Sequence, residues 1–284
     1  MGKELVILLA VLSSGCAREP RVRVGSKNFS EQLILGEVVA QHVERRLGHV
    51  SRKPGLGGTL LAQQALLASE IDVYPEYTGT ALTAVLKHKP VREPGEAFRI
   101  VHDGYRQWGL TWLPPLGFEN TFAMTVRTAD ARGATTLSEA AKSGPWKLGA
   151  GYEFVKREDG LPGLTKAYGL TLAGPPKTMD LGLLYQALTK GQVEMVASSS
   201  TDGLLAVLPL TVLKDDKRYF PPYECALVMR DGAAVQFPAL RGALEELSGK
   251  FSGETMRRLN YELDGKHRPV REIAREFLGS IGLR

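Results

Sequence analysis

Ile71-Asp72-Val73-Tyr74-Pro75-Glu76-Tyr77-Thr78-Gly79-Thr80-Ala81-Leu82 is the stretch on which the reading of this chain turns. Ile71 and Val73 read as the end of a short buried strand, Pro75 is expected to stop it, and Thr78, Gly79 and Thr80 let the chain turn into a helix. The first free N–H groups of such a helix point back towards the strand end, and in an α/β layer ligands sit beyond the carboxyl ends of strands. Two tyrosines and two threonines therefore stand beside a polar crevice. A tight strand-to-helix connection with Tyr77 in the core leaves the same trace, so the neighbouring segments have to decide.

Upstream, Arg21-Val22-Arg23-Val24-Gly25 alternates like a first strand, and Ser26-Lys27-Asn28-Phe29-Ser30-Glu31-Gln32 leads into a helix with Ser30 at its N-cap and Leu33, Ile34, Val38 and Leu47 at helical spacing. A second strand at 49–53, a turn at Leu56-Gly57-Gly58-Thr59 and a helix over 60–68 follow. Downstream of the central stretch, a helix at 96–108 ends before Trp112-Leu113-Pro114-Pro115, because neither proline can donate. The strand at 121–126 is expected to leave one domain for another, which opens with the capping-box pattern Thr136-Leu137-Ser138-Glu139. Strands at 147–150 and 193–197 enclose helices at 152–159, 163–168 and 179–189. After the polar turn Ser198-Ser199-Ser200-Thr201-Asp202-Gly203 and the charged turn Lys214-Asp215-Asp216-Lys217, a strand at 224–229 returns to the first domain. Helices at 237–247, 253–260 and 269–278 finish the chain. Two α/β lobes joined by two strands place every polar turn around one cleft. The expected organisation is a signal peptide over 1–15, a discontinuous first lobe of 21–122 with 224–284, and a second lobe of 123–223.

At 284 residues the chain is long enough for two such lobes. Its formal charge of +5 is spread, with Lys and Arg interleaved among Asp and Glu, so a nucleic-acid partner is not expected. No run reaches the roughly 18 apolar residues of a membrane span. The start reads as a processing segment: Lys3 precedes an apolar run over 5–12, and Ser13-Ser14-Gly15-Cys16 resembles a bacterial lipoprotein cleavage site, although Leu12 lies one residue further upstream than usual. Cleavage there makes Cys16 the lipid-bearing first residue and leaves Cys225 without an internal partner. A mis-chosen start or a buried first strand is the alternative.

Traces of catalysis are missing. Gly249-Lys250-Phe251-Ser252 lacks the spacing of a phosphate-binding loop, and Gly55-Leu56-Gly57-Gly58 lacks what must follow in a dinucleotide site. His42, His49, His88, His102 and His267 show no ligand spacing, and the serines at 198–200 lack a Gly-x-Ser-x-Gly frame. No enzyme activity, metal or cofactor is expected.

Seven segments in order, however, resemble the extracytoplasmic substrate-binding proteins of ABC importers for glycine betaine, choline, carnitine and related osmoprotectants. They are Gly25-Ser26-Lys27-Asn28-Phe29-Ser30-Glu31-Gln32, Tyr74-Pro75-Glu76-Tyr77-Thr78-Gly79-Thr80, Gly117-Phe118-Glu119-Asn120-Thr121-Phe122-Ala123, Phe154-Val155-Lys156-Arg157-Glu158-Asp159-Gly160, Met179-Asp180-Leu181-Gly182-Leu183-Leu184-Tyr185, Ser200-Thr201-Asp202-Gly203, and Asp215-Asp216-Lys217 through Phe220-Pro221-Pro222-Tyr223. The resemblance implies a two-lobed periplasmic-binding-protein fold, type II-like, with two crossover strands, closing on its ligand. It implies an aromatic cage drawn from Tyr77, Phe122 and Tyr223 for a trimethylammonium head, and Lys27, Thr80 and Arg157 for a carboxylate. Where the family commonly places tyrosines, this chain has Phe122 and Ser199, so one wall of the cage is absent or supplied by Tyr74, Tyr152 or Tyr185. Thr201 and Asp202 are further candidates.

The implied partners are a small zwitterionic or quaternary ammonium ligand and the permease and ATPase subunits of an ABC importer. The implied place is the cell envelope, periplasmic or on the outer face of the cytoplasmic membrane, held by the lipid anchor alone. An amino-acid receptor using Arg157 and Lys27, or a sensory or structural lipoprotein without a transport role, are the alternatives.

Overall fold

The computed structural model describes residues 20–283. In chain order its strands are β1 (Val22–Gly25), β2 (Val50–Lys53), β3 (Val73–Tyr77), β4 (Leu110–Trp112), β5 (Phe122–Arg127), β6 (Leu148–Ala150), β7 (Lys177–Thr178), β8 (Met195–Ser199), β9 (Leu210–Val212) and β10 (Cys225–Arg230). They form two five-stranded sheets, ordered β2-β1-β3-β10-β4 and β7-β6-β8-β5-β9. Within each sheet one strand, the last (β10) in the first sheet and the first (β5) in the second, runs antiparallel to both its neighbours, and the other pairings are parallel.

Both faces of the first sheet are covered, which is why its strands are apolar on alternate sides rather than on one. Val73 and Tyr77 of β3 join Cys225, Leu227 and Met229 of β10 in one core, under the helices Ser30–Leu47 and Val270–Ser280. Tyr74 joins Ala226 and Val228 in the opposite core, under Thr59–Leu67 and Pro94–Arg106. The second sheet repeats the scheme, with Met195 and Ala197 on one side of β8 and Val196 on the other.

Three local expectations are corrected. Pro75 does not stop β3; it lies inside it, opposite Leu227 of β10. The Leu227 carbonyl accepts from the Leu113 amide at 2.9 Å, so the hydrogen-bonding edge of Leu227 faces away from Pro75 and the missing N–H leaves that ladder intact. Ser30 is not an N-cap: Phe29 holds that position without a side-chain bond, and the Ser30 hydroxyl donates to Asp264 Oδ1 at 2.5 Å. β4 was not anticipated, because three residues carry no periodicity and its only pairing is to β10, over a hundred residues away. The capping box at Thr136 and Glu139 is present.

The chain passes between sheets after β4 and returns after β9. β5 lies wholly in the second sheet and β10 wholly in the first, so the crossings themselves are residues 113–121 and 213–224. These two segments pair at Glu119 and Glu224, and the Cys225 amide donates to the Phe118 carbonyl at 3.0 Å. Gly79 lets the return crossing press against the start of the helical segment 78–85: a Cβ there would lie 2.6 Å from the Pro222 carbonyl oxygen and 2.7 Å from the Tyr223 ring. No helix among the described residues is long and apolar enough to cross a membrane.

Candidate functional site

Beyond the carboxyl ends of β1, β3, β6 and β8, the two sheets face one another across a cleft of about 660 Å³. The end of β1 presents Lys27, Asn28 and Phe29, and the end of β3 presents Tyr77 and Thr80. From the other side come the segment after β6, including Tyr152, Glu153, Phe154 and Arg157, and Ser198 and Ser199 at the end of β8. Phe122, Tyr223 and Asn120 line the cleft where the chain crosses.

Of the residues expected from sequence, Lys27, Tyr77, Thr80, Phe122, Arg157 and Tyr223 all line this one cleft, as do Tyr152 and Ser199. Tyr74, Tyr185, Thr201 and Asp202 lie outside the lining. Tyr74 is buried beneath β3, its hydroxyl 3.1 Å from Glu76 Oε2 and 3.2 Å from Gln63 Oε1. Tyr185 donates to Asp202 at 2.8 Å, and Thr201 donates to Glu31 at 2.5 Å. Cys16 falls outside the described residues.

The rings of Tyr77, Phe122 and Tyr223 already meet cations of the chain. Lys27 Nζ lies 5.2 Å from the Tyr77 ring centre, and the Arg157 guanidinium carbon lies 5.4 Å from that of Phe122 and 5.9 Å from that of Tyr223. These distances are within the reach of cation–π attraction. Phe122 and Tyr223 meet edge to face, with centres 5.6 Å apart, and Phe154 packs 4.8 Å from Phe122.

The cations are themselves tied down. Lys27 Nζ donates to Glu76 Oε1 at 2.5 Å and to Thr59 Oγ1 at 3.0 Å. Arg157 sends Nε and Nη2 to the two oxygens of Asp159 at 2.8 and 2.5 Å, and Nη1 to Thr80 Oγ1 at 3.2 Å. Burial alone would raise the pKa of Asp159; Arg157, with the Tyr223 and Thr83 hydroxyls, overrides it and holds the carboxyl below its usual range. Burial pushes the Tyr77 and Tyr223 phenols well up, so both stay protonated donors, Tyr77 to Glu31 at 2.6 Å and Tyr223 to Asp159 at 2.7 Å.

Glu31 is a buried acceptor with four donors: Tyr77, Asn120 at 2.9 Å, Thr201 and Asn260 at 3.1 Å. It ties a cleft ring to the crossing segment, to the turn after β8 and to the helix Gly253–Asp264. Burial raises its pKa despite the four bonds that oppose the rise. Opposite, Glu153 Oε1 accepts from the Thr59 amide at 2.6 Å and Oε2 from the Thr59 hydroxyl at 3.2 Å, joining the second lobe to the start of the helix Thr59–Leu67.

Sequence reasoning passed over Glu31, Glu76, Glu153 and Asp159. Three of them sit inside the quoted segments, but an acid near a helix start reads as an ordinary first-turn residue. Ser199 stands directly across the ladder from Phe122, and the aliphatic side chains of Met179, Leu181 and Leu183 line the cleft on that sheet's side. No group of His, Cys, Asp or Glu among the described residues is arranged to hold a metal ion.

The family described as the substrate-binding domain of ABC-type glycine betaine transport systems matches residues 20–280. The carnitine transport binding protein OpuCC of Listeria monocytogenes is 32% identical over 93% of this chain and 88% of its own. The ergothioneine transport permease/ergothioneine binding protein EgtU of Helicobacter pylori is 32% identical over 98% of this chain, which spans 52% of that longer protein. A solved structure described as a glycine betaine/carnitine/choline ABC transporter superposes with a TM-score of 0.75 at 32% identity, covering 92% of this chain and 99% of its own. Two five-stranded α/β lobes with paired crossings, a cleft lined by aromatic rings and this match over nearly the whole chain agree: it belongs to the family of substrate-binding domains of ABC-type glycine betaine transport systems, a family of transport binding proteins and not of enzymes.

Proposed function

We propose that the protein is an extracytoplasmic receptor that captures a small quaternary ammonium compound in this cleft and delivers it to the permease and ATPase of an ABC importer. The observation that carries the ligand class is that Tyr77, Phe122 and Tyr223 line one cleft, with the cations of Lys27 and Arg157 at 5.2 to 5.9 Å from their ring centres. A methylated nitrogen can neither donate nor accept a conventional hydrogen bond, so ring faces are the means available to hold it. The relatives named for carnitine and ergothioneine, and the solved structure described for glycine betaine, carnitine and choline, fit this class, since all four compounds bear a trimethylammonium group. Anchoring through lipid on Cys16 completes the reading, and the short apolar run before it is its support.

Calorimetric titration with choline, glycine betaine, carnitine and an amino-acid panel tests it. Saturable binding of at least one quaternary compound, with the amino acids silent, is the expected result. A specific observation favours one second reading: Ser199 offers a hydroxyl where a ring is usual, and Glu153 and Asp180 also line the cleft, groups that a primary ammonium can use. Binding of an amino acid with all quaternary compounds silent would establish it instead.

A further inference from the structure

The charges that face the cleft are answered from within the chain. Lys27 is buried against Glu76 and Thr59, and Arg157 against Asp159, Thr80 and Thr83, so a ligand carboxylate meets no cation that lacks a protein partner. The start of the helix Thr59–Leu67 also opens on the cleft, where its amides are suited to an anion. There the carboxylate of Glu153 takes both the amide and the hydroxyl of Thr59. The chain makes room for it at Gly58, where a Cβ would lie 2.2 Å from Glu153 Oε1. The backbone of Gly58 is extended at φ −79, so the glycine serves the close approach and not a turn. With Asp180 also on the lining, two positive charges, Lys27 and Arg157, stand against four negative ones, Glu76, Asp159, Glu153 and Asp180.

An incoming carboxylate therefore has to displace a protein carboxylate or enter against an excess of negative charge, while a net cation gains from that excess. On the reading that the ligand is a quaternary ammonium compound, the geometry points to Glu153 as the residue that sets its charge: its carboxylate fills the place of a ligand carboxylate, and the site selects quaternary cations without a carboxylate over betaines. The aromatic faces hold the methylated nitrogen in either case. Glu153 decides what else the ligand carries.

Titrations of wild type, Glu153→Gln and Glu153→Ala with choline and glycine betaine test this, with thermal melting to show that each variant is folded. Wild type is expected to bind choline at least about tenfold more tightly than glycine betaine, and both substitutions to narrow that ratio by about threefold or more. Tight wild-type binding of glycine betaine in preference to choline overturns the charge assignment and leaves the quaternary ammonium reading standing. A choline preference that neither substitution moves removes Glu153 from the role. Folded wild type that binds neither probe overturns this assignment, and the ligand class falls with it when carnitine is silent too.

Discussion

Arg157 shows how a residue can be legible while its surroundings are not. Its side chain enters the cleft because the helix Tyr152–Lys156 ends just before it, and its own backbone is extended at φ −72, ψ 142. The chain then turns over 158–160, with the Gly160 amide donating to the Arg157 carbonyl at 3.0 Å, and this brings Asp159 back beneath the guanidinium to close a two-pronged ion pair. A helix running through 159, as the sequence suggests, would hold these two residues apart, so the sequence shows the arginine without its carboxylate. Asp159 is wholly buried, and removing Arg157 strands that charge. Arg157→Ala is therefore expected to destabilise the fold by about 3–5 kcal/mol, read from urea unfolding, as well as to impair binding; a variant within about 0.5 kcal/mol of wild type would contradict the pairing. Phe122 is a cleaner probe of the ligand, since no hydrogen bond depends on it. Phe122→Leu keeps most of the bulk and loses the π face, so binding of the preferred quaternary compound should weaken about two- to thirtyfold, measured by calorimetry. Unchanged affinity would remove that ring from the cage.

At the scale of elements, the strands and helices that carry a full period were readable, and the elements defined by their partners were not. Val22–Gly25 announces itself by alternation and Cys225–Arg230 by a short continuous apolar run, whereas β4 exists only because β10 lies beside it. The corner where the turn after β8 meets the helices Ser30–Leu47 and Gly253–Asp264 belongs to the second kind. It gathers Glu31, Asp202 and Asp264 from three distant parts of the chain, with His267 close to Asp264. Burial pushes Asp202 up to about 7; the Ser199 amide and Tyr185 hydroxyl oppose this, and Glu31 and Asp264 reinforce it. The folded state thus holds this proton more tightly than the unfolded chain, where Asp titrates near about 3.9. Its stabilising contribution is complete below about pH 3.9, declines as pH rises to about 7, and is gone above, at most about 1.4 kcal/mol per pH unit. Glu31 and Asp264 are raised in the same direction, so a comparison of variants is needed to isolate Asp202. Asp202→Asn retains an acceptor for both donors and is expected to gain stability over wild type between pH 4 and 7, with the gap closing in more acidic solution. Parallel urea midpoints for the two proteins across that range would refute the assignment.

For the whole molecule, the repeated order of strand, polar turn and helix made two lobes around a cleft legible, because each turn had to lie at a carboxyl end. The ties across the cleft were not, since they join residues such as Thr59 and Glu153 whose meeting depends on how the lobes are set. Those ties bear on motion. Glu153 with Thr59, Arg157 with Thr80, and Asp159 with Thr83 at 2.9 Å join the two sides by bonds of the chain itself. Hinge closure around a ligand is the known mode of periplasmic binding proteins as a class, so the mode comes from the family; what this chain adds is its own set of bonds across the cleft. A ligand shifts such an equilibrium only by its differential affinity for the two forms, and a protein already mostly closed has little left to shift. Wild type is therefore expected to show nearly the same radius of gyration with and without saturating ligand in small-angle X-ray scattering. Glu153→Ala combined with Thr83→Ala removes the Glu153 and Asp159 ties, so that variant should be measurably larger when free, contract on binding, and show a lower apparent affinity in proportion to the fraction of closed protein lost. A wild type that contracts on ligand as much as the double variant would show that these bonds do not hold the free protein closed.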